Sequence, residues 1–318
     1  MPGSYAHITL SIEASSKIEL KKIKNFPQEA IDAANLKSTY LELGSISPDY
    51  PYLDITSGDS KSWADAMHYK HTCKDIYVAA ELIKKLGPGP MRLKCLAWLM
   101  GYTSHVVADM CVHPVVELLV GPYDDNKPAH RECEMHQDTY IYQRLGLGMT
   151  AANNHIQTTV MQCSDKGDKK RLDSDIRCLW LDVLKKVYKT DFQTNCPDLD
   201  LWHNRCNTLL ESLLPITSNL MCIARHVANG LGLAYPSPEA VEDIYIKGLK
   251  VPKSIKGQSK LDYDAIFDYA KQKVQSVWLV VCRHALGIQD GIDFGDQEWN
   301  LDTGINVIAQ NQTPIFWG

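Results

Sequence analysis

The chain has 318 residues and a formal net charge of -5 at pH 7, and 45% of its residues are apolar and 22% charged. This balance is typical of a globular protein. Because the lysines and arginines are scattered and the net charge is negative, we expect no binding of duplex nucleic acid. The sequence contains no stretch of about 18 uncharged apolar residues, so we predict no membrane span.

The amino-terminal residues and the cysteines bear on the cellular compartment. The first residues, Met-Pro-Gly-Ser-Tyr-Ala-His, lack the basic start, apolar segment and cleavage site of a secretory signal. This predicts a cytoplasmic location, or a secreted protein whose signal has been removed. The ten cysteines include no Cys-x-x-Cys pair, so we expect mainly buried free thiols. Cys111 and Cys133 lie close to the candidate metal ligands described below, but we expect neither to bind metal.

Proline and glycine divide the first 60 residues into predicted short helices separated by loops. The two prolines of Ser47-Pro48-Asp49-Tyr50-Pro51 favour an extended backbone, so Asp49 is expected on a stiff loop. A helix is predicted from Ser62 to Leu86, because the run Gly87-Pro88-Gly89-Pro90 prevents its continuation.

A long apolar helix is predicted next, roughly from Met91 to Val120, and its apolar residues on every side mark a buried central helix. Helical spacing returns from Ala129 to Leu145. Strand-like alternation is rare, so we predict an all-α fold in a single domain over residues 1–318, with the motifs in 1–145. The rest is predicted to be helices near 171–190, 199–231, 237–248 and 262–286, then an irregular tail packed by Trp299, Phe316 and Trp317.

Three metal-capable side chains recur every fourth residue in Gly101-Tyr-Thr-Ser-His105-Val-Val-Ala-Asp109-Met-Cys-Val-His113-Pro. This spacing places them on one face of the central helix. Chance alone gives roughly 0.03 such His-x3-Asp-x3-His strings in a chain of this composition. The alternative is a set of core polar groups satisfied by backbone and serine partners. Burying three ionisable groups together costs several kcal/mol unless a cation compensates, so the string predicts a metal site.

Two shorter patterns accompany this string. Downstream, His130 and Glu134 lie one turn apart on a predicted helix, with Asp138 one turn further along the same face. Alone, this pattern would fit a solvated polar face equally well, and His136 lies off that face. Upstream, His68 follows Asp65 by one turn, where a carboxylate can orient a metal-binding imidazole.

His71 is of the same residue type as His68, but it lies about 80° further round the predicted helix. We therefore interpret His71 as exposed or structural rather than as a metal ligand.

Together these segments resemble the zinc-dependent phospholipase C family. This family also contains the amino-terminal region of the glycosylphosphatidylinositol-specific phospholipase D enzymes and is a structural relative of the S1/P1 nucleases. The resemblance covers roughly residues 5 to 145, and residues 146–318 contain no matching motif. It rests on five ordered blocks: His7, Gly44-Ser-Ile-Ser-Pro-Asp49-Tyr50, Trp63-Ala-Asp-Ala-Met-His68-Tyr, the Gly101 to Pro114 string, and His130-x3-Glu134-x3-Asp138.

The resemblance implies two zinc ions and a third that depends on the amino terminus. The third zinc ion would be bound by His7 and would share Asp109 with another ion. In the secreted bacterial enzymes of this family, the mature amino terminus also binds this third ion. No processing site that would create such a terminus is visible in this sequence. The spacing from Asp109 to the next histidine also differs from that of the secreted enzymes. The resemblance therefore supports the metal ligands more strongly than it supports a particular substrate. The implied ligands are Asp49, His68, His105 and Asp109 for one ion, and His113, His130 and Glu134 for the other.

The implied activity is hydrolysis of a phospholipid or another phosphodiester, with peripheral membrane contact. A zinc cluster with an open position makes hydroxide available near neutral pH, and Asp49 would accept the proton of the water. Tyr50 and Tyr69 would stack on a choline head group by cation–π attraction, although tyrosines beside a buried loop are more often packing residues. Asp65 would orient the ligand His68, and Asp138 would belong to the same outer layer of residues that support the ligands.

Two other classes of function remain open on the sequence. An S1/P1-like nuclease or other phosphoesterase would need an aromatic stacking pocket and basic groups for a single strand. A protein that keeps zinc for stability would bind without catalysis. Activity on phospholipid and on single-stranded nucleic acid, with and without a chelator, separates all three. The sequence predicts neither the head-group preference nor the oligomeric state.

Overall fold

The computed structural model describes residues 3–54, 58–146, 149–213, 235–309 and 312–318. Thirteen α-helices dominate the described residues, so the predicted all-α class is confirmed. The helices are α1 (Ser4–Ala14), α2 (Lys17–Leu20), α3 (Gln28–Leu36), α4 (Ser38–Ile46), α5 (Gly58–Tyr69), α6 (Thr72–Lys84), α7 (Pro90–Val120), α8 (Lys127–Tyr142), α9 (Met149–Gln162), α10 (Ser174–Val187), α11 (Lys189–Thr194), α12 (Leu199–Leu213) and α13 (Tyr263–Ala285). Two antiparallel hairpins pair β1 (Ser164–Asp165) with β2 (Asp168–Leu172), and β3 (Leu249–Ile255) with β4 (Gln258–Leu261).

Helix α7 is the central element of the core, as predicted. Every residue from Cys95 to Val116 is buried, and α3, α4, α6, α8, α13 and β3 all pack on it. Its length and apolar composition would also suit a membrane span, but 78% of its most apolar 18-residue window is buried inside the protein. Such burial is typical of a core helix that is apolar on all sides.

Two glycines allow α4 and α7 to cross in close contact. A Cβ atom on Gly44 would lie 2.1 Å from the carbonyl oxygen of Trp98, and one on Gly101 would lie 1.9 Å from that of Leu41. Only residues without a side chain permit backbones to approach so closely. The crossing brings the end of α4 against the middle of α7, where His105 and Asp109 lie.

The structure corrects two local predictions near the site. The helix predicted from Ser62 to Leu86 is divided into α5 and α6 at His71, which adopts a left-handed conformation with φ 55°. Glu298 stabilises this break, because its carboxylate accepts hydrogen bonds from the backbone N–H of His71 at 2.7 Å and from Nδ1 at 2.5 Å. The segment predicted as an extended loop around Asp49 is instead a 3₁₀ helix, Ser47–Leu53, which accommodates both prolines.

The second half agrees with the predicted helices in part. Helices α10 and α13 lie where they were predicted, and α12 covers the start of the predicted helix 199–231, whose remainder from residue 214 lies outside the described residues. The helix predicted over 237–248 is wrong. Two short 3₁₀ helices, Pro238–Ala240 and Asp243–Tyr245, lie there, because the extended residues Val241 and Glu242 separate them.

The end of the chain returns to the site as an irregular tail. Trp299 and Trp317 are buried, and the ring of Trp299 packs edge-on against Phe316 with centroids 5.5 Å apart. The tail also hydrogen-bonds to α5, since the Leu301 N–H donates to the carbonyl of His68 at 3.2 Å. Residues 300–302 therefore lie directly beside the candidate metal ligands.

Candidate metal centre

Asp109 lies at the centre of a buried group of histidines contributed by three helices. Its Oδ1 is 3.3 Å from His7 Nε2, and its Oδ2 is 3.4 Å from His105 Nε2 and 3.9 Å from His68 Nε2. Asp49 joins them from the 3₁₀ helix, with Oδ1 at 3.4 Å from His68 Nε2. We refer to these five residues as the Asp109 cluster.

Backbone carbonyls fix the proton on the outer nitrogen of three histidines. Nδ1 of His68 donates to the Ala64 carbonyl at 2.7 Å, Nδ1 of His105 to Ser45 at 2.8 Å, and Nδ1 of His113 to Leu301 at 2.6 Å. Because a carbonyl oxygen only accepts, each neutral ring must carry its proton on Nδ1. The Nε2 lone pairs of all three rings are therefore free for a ligand, and this support of the outer nitrogen is usual for metal-binding histidines.

The inner atoms of the Asp109 cluster are acceptors that face one another. Nε2 of His68 and Nε2 of His105 are only 3.3 Å apart, although neither carries a proton in the tautomer described above. Both carboxylate oxygens of Asp109 and Oδ1 of Asp49 are buried and have no hydrogen-bond partner among the described residues. Converging lone pairs repel one another unless a cation lies between them, so this nitrogen and oxygen donor set fits a zinc ion.

The ligand atoms satisfy the distance requirement in two overlapping groups. In His7, His105 and Asp109, and again in Asp49, His68 and His105, one donor atom from each residue lies within 4.8 Å of the others. The two groups share His105. The ring of His7 also stacks on that of His105, with centroids 3.9 Å apart. The sequence-predicted residues His7, Asp49, His68, His105 and Asp109 are therefore all brought together.

The electrostatics favour ionised carboxylates at Asp109 and Asp49 and neutral rings at His7 and His113. His105 differs, because burial lowers its pKa but the nearby carboxylates of Asp109 and Asp49 together outweigh burial and raise it. Burial opposes ionisation of Asp109, but the charges of His105 and His113 outweigh it and hold its pKa well below the usual range. The pKa of Asp49 is likewise lowered, since the neighbouring imidazoles of His68 and His105 together outweigh the opposing effect of burial. Burial lowers the pKa of His7, and that of His113 to about 4. Ionised carboxylates and neutral imidazoles are the forms that bind zinc.

His113, His130 and Glu134 are assembled less closely than the Asp109 cluster. Nε2 of His113 lies 3.9 Å from Asp109 Oδ1, and Nδ1 of His130 lies 3.8 Å from Glu134 Oε1. Nε2 of His130 donates to the Gly121 carbonyl at 2.6 Å, so the free lone pair is on Nδ1, which faces Glu134. Within the described residues, the three side chains do not form a group with all ligand atoms inside 4.8 Å.

Asp138 holds the start of α1, the helix that carries His7. Its Oδ1 accepts from the backbone N–H of Ala6 at 3.0 Å, and its Oδ2 accepts from the Tyr235 hydroxyl at 3.0 Å. A Cβ atom on Gly3 would lie 1.7 Å from Oδ2, so only glycine fits there. Burial raises the pKa of Asp138 to about 7. Asp138 was predicted to support the metal ligands, and these contacts show it holding the helix that carries His7.

Tyr50 and Asp65 are placed differently from their predictions. Tyr50 is fully buried, with its ring centroid 6.2 Å from those of both Trp180 and His203, so it packs in the core and is not available to a head group. Asp65 accepts from the Tyr52 hydroxyl at 2.8 Å and from Lys61 Nζ at 2.6 Å. The Ala64 carbonyl, and not Asp65, orients His68.

A polar cavity of about 350 Å³ opens beside the metal ligands. Tyr69 lies on its wall, as its predicted substrate role requires, and its hydroxyl donates to Asp302 Oδ2 at 2.9 Å. The other oxygen, Asp302 Oδ1, is 3.8 Å from His113 Nδ1. The ring of Tyr123 is edge-on to that of His130, with centroids 5.2 Å apart. The cavity is lined by Lys61, Asp65, Tyr69, Tyr123, Asp124, Lys127, Asn300 and Asp302.

Six of these lining residues were not predicted as site residues from the sequence: Lys61, Tyr123, Asp124, Lys127, Asn300 and Asp302. No motif marks them, and Asp302 is separated from His113 by nearly two hundred residues of sequence. For Lys127 and Tyr123, the only available signal was their closeness in sequence to His130.

Two nearby cysteines and one further group of metal-capable side chains lie apart from the centre among the described residues. Burial raises the pKa of the Cys111 and Cys133 thiols, which keeps them protonated and unsuited to bind zinc. A separate surface group contains Glu132, His136 and Glu242. There, Nδ1 of His136 accepts from the Glu242 N–H at 3.0 Å, so the proton of the neutral ring lies on Nε2, which then has no lone pair for a metal.

Comparison with known proteins gives one match. A family model described as zinc dependent phospholipase C matches residues 6–190, more than half of the chain. No curated protein and no solved structure matches the chain. The matched range contains every residue of the Asp109 cluster together with His113, His130 and Glu134.

Proposed function

Because the chain belongs to the zinc-dependent phospholipase C family, we propose that it cleaves the phosphodiester bond between the head group and the diacylglycerol of a glycerophospholipid. The family membership supports hydrolysis of a phosphoester bond with zinc. The choice of a phospholipid, and the roles given to individual residues below, are the proposal.

The observation that carries the proposal is the convergence of unpartnered lone pairs in the Asp109 cluster beside an open polar cavity. His68, His105, Asp49 and Asp109 would hold one ion, and His7 would share Asp109 with another. His113, His130 and Glu134 would hold a further ion, although their ligand atoms are less closely grouped than those of the Asp109 cluster. Zinc bound there would acidify water and neutralise charge on a phosphodiester oxygen.

Asp49 is assigned the role of general base. It lies on the 3₁₀ helix with Oδ1 directed at His68, and its depressed pKa keeps the carboxylate ionised at neutral pH. The second oxygen would accept the proton of the attacking water. Asp109 is more deeply enclosed by imidazoles, so we assign it to holding the ligands together rather than to proton transfer.

The cavity supports a substrate with an anionic phosphate and a cationic head group. Lys61 and Lys127 would attract the phosphate as point charges. Tyr69 and Tyr123 offer aromatic faces, and Asp124 and Asp302 add negative charge on the same wall. A quaternary or primary ammonium is recognised by this combination of rings and carboxylates.

The test compares substrates on zinc-loaded protein, with and without a chelator. We expect hydrolysis of phosphatidylcholine and phosphatidylethanolamine, slower hydrolysis of phosphatidylinositol, and loss of all three activities with chelator. Equal rates on all three lipids would show that the cavity does not select the head group. Cleavage of single-stranded DNA in place of lipid would favour a nuclease, and bound zinc without any hydrolysis would favour a non-catalytic protein.

A further inference from the structure

The β3–β4 hairpin is a basic segment without acidic residues in a chain whose net charge is -5. Residues 249–261 contain four lysines and no acidic residue: Lys250, Lys253, Lys256 and Lys260. All four are exposed, and none forms an ion pair with a carboxylate of the described residues. Lys250 lies directly opposite Lys260 in the strand register. Like charges at opposed positions destabilise a hairpin, so this arrangement disfavours the isolated fold.

The other side of the hairpin fixes it to the core. Leu249 and Val251 are buried, and β3 packs against α7. Pro252, which lies between Val251 and Lys253 in the sequence, lines an open groove of about 440 Å³. The lysines therefore project from a hairpin whose first strand packs against the same helix that carries His105 and Asp109.

The groove is mainly apolar and adjoins the cavity beside the metal ligands. Leu118, in the last turn of α7, contributes to it and is 49% exposed. Pro122 and Thr303 line the groove, while their chain neighbours Tyr123 and Asp302 line the cavity. The Tyr123 N–H also donates to the carboxylate of Glu117, another groove residue, which ties the two walls together. The remaining groove residues are Pro114, Ile305, Gln312 and Pro314.

We propose that the four hairpin lysines and the groove around Leu118 form a docking face for an anionic lipid surface. This inference rests on the proposed phospholipase function, because it accounts for how the cavity reaches a substrate held in a bilayer. Lysines near an anionic leaflet are attracted through the negative surface potential, and exposed apolar side chains enter the head-group region. The face would present the metal cavity to the membrane plane.

A nucleic acid would supply the negative charge but no aliphatic layer, and a short acidic peptide such as polyglutamate would supply only the charge. The groove has one acidic residue, Glu117, and its exposed apolar side chain is Leu118, adjacent to it in sequence. A lipid surface combines a charged plane with an apolar layer beneath it. It therefore satisfies the lysines and the groove together.

The main test measures sedimentation of zinc-loaded protein with vesicles after brief incubation in the cold. The vesicles contain phosphatidylcholine alone, or phosphatidylcholine and phosphatidylserine in equal parts. We expect phosphatidylserine to strengthen binding by at least about tenfold, and added salt to reverse the gain. The quadruple variant Lys250→Gln, Lys253→Gln, Lys256→Gln and Lys260→Gln should lose this gain.

A matched control neutralises four other exposed lysines, Lys17, Lys21, Lys22 and Lys24, on and after α2. No residue of this segment lines the groove or the cavity. The control variant should bind the mixed vesicles nearly as the unmodified protein does. Leu118→Ser should weaken binding to both kinds of vesicle, whereas Ile18→Ser, at another exposed apolar residue, should not.

A soluble short-chain phosphatidylcholine separates this inference from the proposed function. The hairpin variant should hydrolyse the soluble lipid at the unmodified rate and the mixed vesicles more slowly. If no protein cleaves the soluble lipid, the proposed activity fails, while sedimentation still decides the docking. Docking is overturned if the hairpin variant sediments like the unmodified protein or if both quadruple variants lose binding equally. It is also overturned if phosphatidylserine adds nothing while polyglutamate or single-stranded DNA binds to the hairpin.

Discussion

Two carboxylates are buried on neighbouring helices of the core, and their surroundings give them opposite properties. Asp109 on α7 is enclosed by imidazoles, and their charges hold its pKa well below the usual range. Asp75 on α6 is enclosed by phenols: its Oδ2 accepts from the hydroxyls of Tyr188 at 2.7 Å and Tyr102 at 3.1 Å. Burial outweighs these hydrogen bonds and raises the pKa of Asp75 to about 8.

The comparison shows that burial alone does not identify a metal ligand. The partners of Asp75 are donors, and both hydroxyls bind its Oδ2, while its Oδ1 has no hydrogen-bond partner among the described residues. Because Asp75 keeps its proton, it carries no charge that an ion must balance. The partners of Asp109 present lone pairs, and its two oxygens have no donor among the described residues. A buried carboxylate predicts a metal site only when the atoms facing it are also acceptors.

Asp109→Asn is the substitution expected to have the largest effect, and it tests whether Asp109 differs from Asp75 in binding a metal. The amide removes the negative charge that balances the ion and offers N–H groups to nitrogens that need a cation, so we expect zinc and activity to be lost together. Zinc content by elemental analysis and hydrolysis of a soluble phosphodiester would be measured on the same sample. A fully active variant would show that Asp109 is a structural residue like Asp75.

Asp49→Asn should separate metal binding from rate. Asp49 lies at the edge of the Asp109 cluster, so we expect part of the zinc to remain while the turnover rate falls on the order of 100- to 10,000-fold, as for loss of a general base. The pH profile provides the second readout, because the variant should lose its dependence on the low-pKa carboxylate. An unchanged rate with full zinc would remove Asp49 from the proposed mechanism.

Asp138→Ala tests whether the anchor of α1 affects the metal through His7. Without the acceptor for the Ala6 N–H, His7 would be less well positioned, and loss of such outer support lowers metal affinity by about 10- to 100-fold. Asp138→Asn retains an acceptor and should restore most of that affinity. Zinc titration with a competing chelator measures both variants. Equal affinities for the Ala variant and the unmodified protein would contradict the positioning role.

Asp75→Asn is the counterpart of Asp109→Asn and should have the smallest effect on activity. The folded pKa of about 8 lies above the unfolded value, so folding takes up a proton between about pH 4 and pH 8. The protonated Asp75 carboxyl makes its full contribution to the free energy of unfolding below its pKa in the unfolded chain. That contribution is lost as the pH rises through the pKa of Asp75 in the folded protein. The amide cannot ionise, so thermal unfolding should show the variant more stable than the unmodified protein above about pH 8, by on the order of a few kcal/mol. Identical pH dependence in both proteins would contradict this.

Sequence spacing predicted the parts of the site that one helix determines. His105, Asp109 and His113 share a face because each is one turn from the next, and the apolar residues around them predicted the burial of α7. Glycine residues likewise predicted where the long helices end. These features depend on local geometry, which a single segment of sequence contains.

Contacts between distant segments were not predictable in the same way. Tyr50 is buried because Trp180 and His203, from α10 and α12, pack around it. Asp302 and the Leu301 carbonyl reach His113 from the irregular tail. The break at His71 depends on Glu298, also from the tail. Nothing in the local pattern of either partner indicates these pairs.

The central claim is that the acceptors around Asp109 require a divalent cation. Elemental analysis of zinc-supplemented, purified protein, measured alongside its hydrolytic activity before and after chelation, tests that claim most directly. We predict bound zinc in the active protein, loss of zinc and activity together, and recovery of both when zinc is returned. Protein that contains no zinc after supplementation, or that remains fully active without it, would contradict the account.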